Sequence, residues 1–330
     1  MKAVGQTKTN AACLNTDVSH AFSEANRTEY SASRDVNYFS IKEIEALTGV
    51  KAHTIRIWEQ RYEMVTPKRT DTNIRYYDEQ DLRKLLNVAL LNKNGYKISE
   101  IAGLTEQDIR DRVMQLAIEK NDHENQLQAL TLSMLELNEQ AFEKLLSTAF
   151  LQMGIEKTMI QVVFPFFKSI GIMWQTGSIN PAHEHFITNI VRQKLVVAID
   201  GQNARLDGWS KKYMLFLPEG EFHEIGLLFA NYAIRARGHH VIYIGANVPY
   251  PDLKVVYDVY RPEVLFTILT SPMAQVQPQA YLDSLSKDFP ASTILTSGML
   301  LLNEKDLKVP ANVRLMQDFK EMLSLVSELN

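Results

Sequence analysis

The residue types best placed for chemistry in this chain fall in two short stretches. Glu221, His223 and Gly226 form an E-x-H-x-x-G pattern within PEGEFHEIGLLFA, directly after the apolar run YMLFL. A neutral imidazole is a good ligand for a borderline transition metal. A carboxylate two residues earlier can accept the other ring N–H, fixing the tautomer and raising the basicity of the ligand nitrogen. A glycine three residues later leaves room for close approach to the backbone. The second stretch is WQTGSINPAHEH, in which Trp174 is followed after nine residues by Glu184 and His185. His183, Glu184 and His185 are consecutive on one helix and point in different directions, so they do not read as a zinc site. The plain alternatives are a helix-capping histidine at 223, a core tryptophan at 174 and a solvated helix surface at 183–185.

The elements that must position these residues follow from periodicity. From about 209 to 330, short apolar runs alternate with helical stretches; the candidate strands are YMLFL, HVIYIG, VLFTIL, STILT and VRLM. Regular alternation of this kind implies a Rossmann-like, doubly wound parallel sheet. Ligands bind such sheets outside the carboxyl ends of the strands, where His223 falls. From about 106 to 208 the sequence is helical: EQDIRDRVMQLAIEK, ENQLQALTLSMLELNEQAFEKLLSTAFLQMG, IEKTMIQVVFPFFKSIGIMWQTG and NPAHEHFITNIVRQKLVVAIDG read as a four-helix bundle. Residues 1–36, rich in Ser, Thr, Asn and Ala, are expected to form a disordered tail.

Residues 37–105 carry a different chemistry. Ser40 and Glu43 make a capping box, Ile41, Ile44 and Leu47 an apolar stripe, and Gly49 a left-handed stop. A second helix starts near Lys51, giving a helix-turn-helix. In that arrangement its first turns offer Lys51, His53, Thr54 and Arg56 to the major groove, while Ile55 and Trp58 face the core and Arg61 and Tyr62 reach the backbone. TPKRTDTNIRYY follows as a turn between short extended pieces, a wing whose Lys68, Arg69, Arg75 and Tyr76 face phosphates. A capped helix ending at Gly95 closes the module. The alternative is a small helical bundle with a basic turn. Residues 36–100 hold eleven Lys or Arg against nine Asp or Glu, a net of +2, so the rest of the chain carries −6 of the overall −4. A mildly basic head on an acidic body fits one DNA-facing module joined to modules that do not face DNA.

The block IKEIEALTGVKAHTIRIWEQRY, the basic wing with IRYY and the helix after it resemble, in order and spacing, the DNA-binding domain of MerR-type transcription regulators. The metal-responsive members carry cysteines near a long dimerising helix; with only Cys13 this chain is no thiolate sensor, has no internal disulfide and suits a reducing cytoplasm. No run approaches eighteen apolar residues, so no membrane span is expected and the localisation implied is cytoplasmic. Ser-His-Asp, Walker A and zinc-ligand patterns are not found, which argues against an enzyme.

E-x-H-x-x-G resembles the D-x-H-x-x-G signature of cobalamin-binding domains, in which the histidine binds cobalt from below. That resemblance extends to Thr267–Leu269 for the S-x-L segment and to Ser297–Gly298 for the G-G segment, both lining the cofactor's tail. Thr keeps the hydroxyl of Ser, whereas Ser297 adds a side chain where space is tight. W-x9-E-H resembles the cap of the CarH/LitR family of light-sensing, cobalamin-dependent repressors, which implies that Trp174 shields the upper face of cobalt and that Glu184 and His185 contact the 5′-deoxyadenosyl group. In light-sensing members a histidine commonly follows that tryptophan; here it is Gln175.

The resemblance implies a homotetrameric repressor of a double-stranded DNA operator, holding adenosylcobalamin in the dark and dissociating when green light cleaves the cobalt–carbon bond. Two alternatives stand beside it. One is a regulator of the same architecture that works without light or without cobalamin, favoured by Gln175, Thr267 and Ser297. The other is a corrinoid module carrying methyl groups, against which the DNA-binding head argues.

Overall fold

The computed structural model describes residues 38–119, 123–175, 179, 181–202, 210–271 and 277–328; the tail expected over 1–36 lies outside the described residues. Two compact units meet in sequence at Ile190 and Val191.

The first unit opens with local rules obeyed in order. Ser40 ends β1 (Phe39–Ser40) and caps α1 (Ile41–Thr48). Its hydroxyl accepts from Glu43 N at 3.4 Å while the Glu43 carboxylate accepts from Ser40 N at 2.7 Å, the reciprocal capping box. Gly49, at φ +70°, stops the helix as expected. Glu45 then accepts from Ala52 N at 3.0 Å and from Lys51 Nζ at 2.8 Å, which launches α2 (Ala52–Tyr62) with Ile55 and Trp58 buried beneath it. The wing is β2 (Lys68–Arg69) and β3 (Arg75–Tyr77), and β1 joins it as a third antiparallel strand in the order β1-β3-β2. Glu59 of α2 ties the wing down: its carboxylate takes the Tyr77 hydroxyl and pairs with Arg75 Nε at 3.3 Å.

Asp78 and Asp81 form a second capping box that starts α3 (Glu79–Lys93). This helix buries Leu82, Leu85, Leu86 and every residue from Val88 to Leu91. It is followed by α4 (Ile98–Ile101), α5 (Glu106–Glu119) and α6 (His123–Leu135). Polar contacts fasten α3 antiparallel to α6. Arg83 Nη1 donates to the Leu135 carbonyl at 3.2 Å, Lys93 pairs with Glu124, and Asn94 and Asn125 exchange amide hydrogen bonds of 2.9 and 3.2 Å.

The stretch 124–154, expected to be one helix, is two. Leu137 turns left-handed at φ +50°, and Asn138 accepts from Ala141 N at 3.0 Å to start α7 (Glu139–Met153). A short Asn side chain that can bond the backbone ahead of it favours a cap over a helix interior, and the apolar pattern on both sides conceals the break. The remaining helices are α8 (Ile155–Thr158), α9 (Phe164–Gln175) and α10 (Pro181–Asp200). A π-turn, Met159–Val163, joins α8 to α9, and Phe164 N–H bonds back to Met159. That extra residue in the turn accommodates Pro165, which has no N–H to offer the ordinary ladder.

The second unit is the expected alternation: β4 (Lys212–Pro218), α11 (Ile225–Ala236), β5 (His240–Val248), α12 (Tyr250–Tyr260), β6 (Val264–Ile268), α13 (Pro278–Asp288), β7 (Thr293–Ser297), α14 (Met299–Leu302), β8 (Val313–Leu315) and α15 (Phe319–Glu328). All neighbours in the order β5-β4-β6-β7-β8 are parallel. One face packs Met214, Phe216, Leu265 and Ile294 against Leu253, Tyr281, Leu282 and Leu285 of α12 and α13. The chain leaves β4 toward one edge and β6 toward the other, so the carboxyl ends of these two strands are the topological switch point. No described helix is long and apolar enough to cross a membrane.

The amide exchange on α3 yields a prediction. Asn125 is 1% exposed, and Asn125→Ala removes both amide bonds to Asn94, which keeps its bond to the Leu90 carbonyl at 2.9 Å; the loss should cost about 0.5–1.5 kcal/mol in urea unfolding. Adding Asn94→Ala should cost less than the sum of the two single changes, because the partner is already lost.

Candidate functional site

Glu221 and His223 sit in the turn from β4 to α11, at the switch point. Gly220, at φ +85°, and Asn247, at φ +57°, shape the turn from both sides. Gly220 N donates to Asn247 Oδ1 at 2.8 Å and Asn247 N to the Glu221 carbonyl at 3.1 Å, so the turn is stitched to the end of β5.

The Glu221 side chain is only 1% exposed, whereas that of His223 is 56% exposed. Glu221 Oε1 accepts from His223 N at 3.0 Å and from His223 Nδ1 at 2.6 Å. Its Oε2 accepts from Thr270 N and Ser271 N, both at 2.7 Å. The Ser271 hydroxyl also lies 3.1 Å from His223 Nδ1. Burial pushes the Glu221 carboxyl up, but the His223 ring, the Ser271 and His223 N–H groups and the charge available on His223 outweigh it and hold the group at about 2. The carboxylate is thus ionised, Nδ1 carries the proton it donates, and in the neutral ring Nε2 is the lone-pair nitrogen. This is the tautomer a metal-binding imidazole needs.

The other positions assigned by sequence do not form one lining. Gly226 packs so closely that a Cβ would sit 2.9 Å from Ile268 Cδ1 and 2.9 Å from the Phe319 ring. Thr267 alternates to the opposite face, with Leu265 and Leu269, and is the register partner of Thr296. Both threonines are 0% exposed, and neither hydroxyl has a hydrogen-bond partner among the described residues. Ser297 Oγ donates to the Met316 carbonyl at 2.9 Å. Gly298, at φ +117°, would place a Cβ 2.1 Å from the Leu269 carbonyl, so no other residue fits there. Sequence reasoning missed Thr270 and Ser271; the signal available was TILTS running past the third strand to the switch point.

In the helical unit, Trp174 and Gln175 end α9, and their side chains lie outside the described residues. Glu184 is half-buried and His185 exposed on the first turn of α10. His183 is buried, which pushes its imidazole toward the neutral form. Among the described residues no group of three His, Cys, Asp or Glu could hold a bare metal ion.

On the head, His53, Arg56 and Arg61 are exposed on α2, Thr54 and Tyr62 are partly so, and Lys51 stands at its N-cap. Lys68 and Arg69 are exposed on the wing beside half-buried Tyr76. Arg75, expected to face phosphate, is half-buried and pairs through Nε with the buried Glu59 carboxylate, while 26% of its side chain remains exposed.

The depressed Glu221 carboxyl sets a pH dependence. Its stabilisation is present above the ordinary value of 4.5 and is lost as pH falls through about 2. Over that window the urea stability of the wild type should drop by on the order of 3 kcal/mol more than that of Glu221→Gln.

Comparison with known proteins identifies two parts of the chain. Residues 39–108 match the MerR HTH family regulatory protein model and residues 126–198 the B12 binding domain model. The HTH-type transcriptional repressor CarH of Myxococcus xanthus is 30% identical over 224 residues, covering 66% of this chain and 74% of that protein. CarA of the same organism is 26% identical over 228 residues, covering 68% and 74%. The Methanosarcina barkeri monomethylamine corrinoid protein aligns at 12% identity and a TM-score of 0.45, over 68% of this chain and 100% of that one. The chain belongs to the CarH and CarA family of MerR-type HTH transcriptional repressors and is a transcriptional regulator with a B12-binding domain.

Proposed function

We propose that the protein is a repressor whose operator binding and self-association are controlled by adenosylcobalamin and by its photolysis, with His223 as the residue that would hold the cobalt. The observation that carries this reading is the exposed imidazole whose Nδ1 is held by a buried carboxylate at the sheet's switch point. A neutral imidazole so oriented would suit the borderline metal of a cobalamin. The unpartnered Thr267 and Thr296 hydroxyls and the crowded backbone at Gly298 are further features suited to a polar, close-fitting group.

When bound, adenosylcobalamin supplies a cobalt–carbon bond that green light cleaves. Glu221 keeps the ligand nitrogen of His223 basic and oriented. Trp174 is assigned to exclude water from the alkyl face, with Glu184 offering a hydrogen-bond acceptor and His185 a donor to the adenosyl sugar. On the head, Lys51, His53, Thr54 and Arg56 meet base edges, and Lys68 and Arg69 meet phosphates. Several heads joined in one tetramer engage an operator together, so a change of oligomeric state becomes a change of avidity.

Gln175 favours a second reading, a cobalamin sensor without a light response, because an amide is a poor replacement ligand for cobalt. One experiment separates the two. Protein loaded with adenosylcobalamin in darkness is desalted, and its absorption spectrum and size are recorded before and after green light. A His-on spectrum that changes while a tetramer falls apart supports the first reading; a spectrum and size that light leaves unchanged supports the second. A His223→Ala protein that retains the His-on spectrum overturns the ligand assignment. Independently, Lys68→Ala should weaken binding to every DNA sequence and lower the salt slope by about one, whereas Arg56→Ala should cost about 1–3 kcal/mol and relax specificity at one position.

A further inference from the structure

The residue after the candidate ligand is anchored from two directions. Glu224 Oε1 accepts the Tyr243 hydroxyl at 2.8 Å, and Oε2 accepts Arg192 Nε at 2.8 Å. Tyr243 comes from β5, Arg192 from α10, and Glu224 stands at the start of α11. All three belong to the 191–330 unit. The Glu224 side chain is 19% exposed and that of Arg192 54%. Burial, reinforced by the bond to Glu224, pushes the Tyr243 phenol up, so it stays a donor at any physiological pH.

The main chain makes the consequence specific. No side chain caps α11; its first turn is set by the Glu224 carbonyl, which accepts from Leu228 N at 2.9 Å, and by Glu224 N, which donates to the Phe222 carbonyl at 2.8 Å. On the amino side of His223, the buried Glu221 carboxylate fixes the chain through the His223 N–H. On the carboxyl side, the Glu224 side chain is what fastens the turn to a neighbouring strand and helix. Such a clamp costs no entropy when a ligand arrives, since the imidazole is already held in place.

We propose that Glu224, through Tyr243 and Arg192, is a second positioning residue for cobalt binding: it holds the turn on the carboxyl side of His223 as Glu221 holds it on the amino side. The proposal rests on the reading of His223 as the cobalt ligand. It also gives α10 a part in the lower site, since Arg192 lies on the helix whose first turn carries Glu184 and His185.

The test uses the full-length protein and hydroxocobalamin, titrated by absorbance, with the His-on fraction followed as pH is lowered. Glu224→Gln should bind about tenfold more weakly, as expected for a lost supporting hydrogen bond around a metal ligand. It should also lose the His-on form at a higher pH than the wild type, with the Tm of the cofactor-free protein little changed. Arg192→Gln and Tyr243→Phe should each give a smaller effect in the same direction, and Glu224→Gln with Arg192→Gln should be no worse than Glu224→Gln alone. Should Glu224→Gln fold poorly, Arg192→Gln, whose side chain is largely exposed, decides. Wild-type affinity and pH profile in these variants, with His223→Ala losing the His-on spectrum, overturns the positioning role alone. If His223→Ala keeps that spectrum, the ligand reading falls and this proposal falls with it.

Discussion

Everything at the candidate cofactor site depends on keeping one carboxylate charged out of water. An ionised group 1% exposed is untenable unless its lone pairs are filled, and Glu221 fills them with four N–H donors. Two come from its own turn and two from the segment after β6. Only a strand order that sets β4 beside β6 and sends their exits apart brings those two segments face to face. The sheet topology, the depressed acidity of Glu221 and the tautomer of His223 are therefore one constraint seen at three scales. Removing any donor leaves a buried charge short of partners, which is why the turn is also sewn to β5 through Asn247.

The DNA-binding head repeats the device on a smaller scale. Glu59, on the underside of α2, gathers Arg75 and the Tyr77 hydroxyl from the wing. The helix that carries the exposed His53, Arg56 and Arg61 and the hairpin that carries Lys68 and Arg69 are thereby fixed in one frame. Arg75, with 26% of its side chain still exposed, therefore has a structural partner in Glu59 beside the place on the wing that its position in the sequence gives it.

Much of this was legible in the residues, and what was not has a common cause. Capping boxes, glycine stops and the five parallel strands depend on neighbours within a few positions, and each appears where the pattern put it. E-x-H-x-x-G announced the Glu221–His223 pair because both partners lie in one turn. Thr270, Ser271, Arg192 and Tyr243 are brought to that turn by the fold and lie 19 to 50 positions from the residues they meet, a separation at which spacing does not name the partner; for Thr270 and Ser271 the signal is TILTS running past β6 to the switch point. Of the residues assigned to the cofactor's tail, Gly226 and Thr267 lie on opposite faces of the sheet, because successive residues along β6 alternate between the faces. The split of 124–154 was hidden differently, since Leu137 preserves the apolar rhythm while its backbone breaks it.

The seam between α3 and α6 bears on how such regulators can be built. A head ending near residue 105 looks like a cassette that could be exchanged for another operator specificity. Cut there, α3 would lose the Leu135 carbonyl bound by Arg83, the Asn125 amide bound by Asn94 and its packing against α6. A head transplanted without α6 gives up these contacts. A graft that keeps its solubility has to carry α6 along, so the natural unit of exchange in this architecture reaches into the helices of the B12-binding domain.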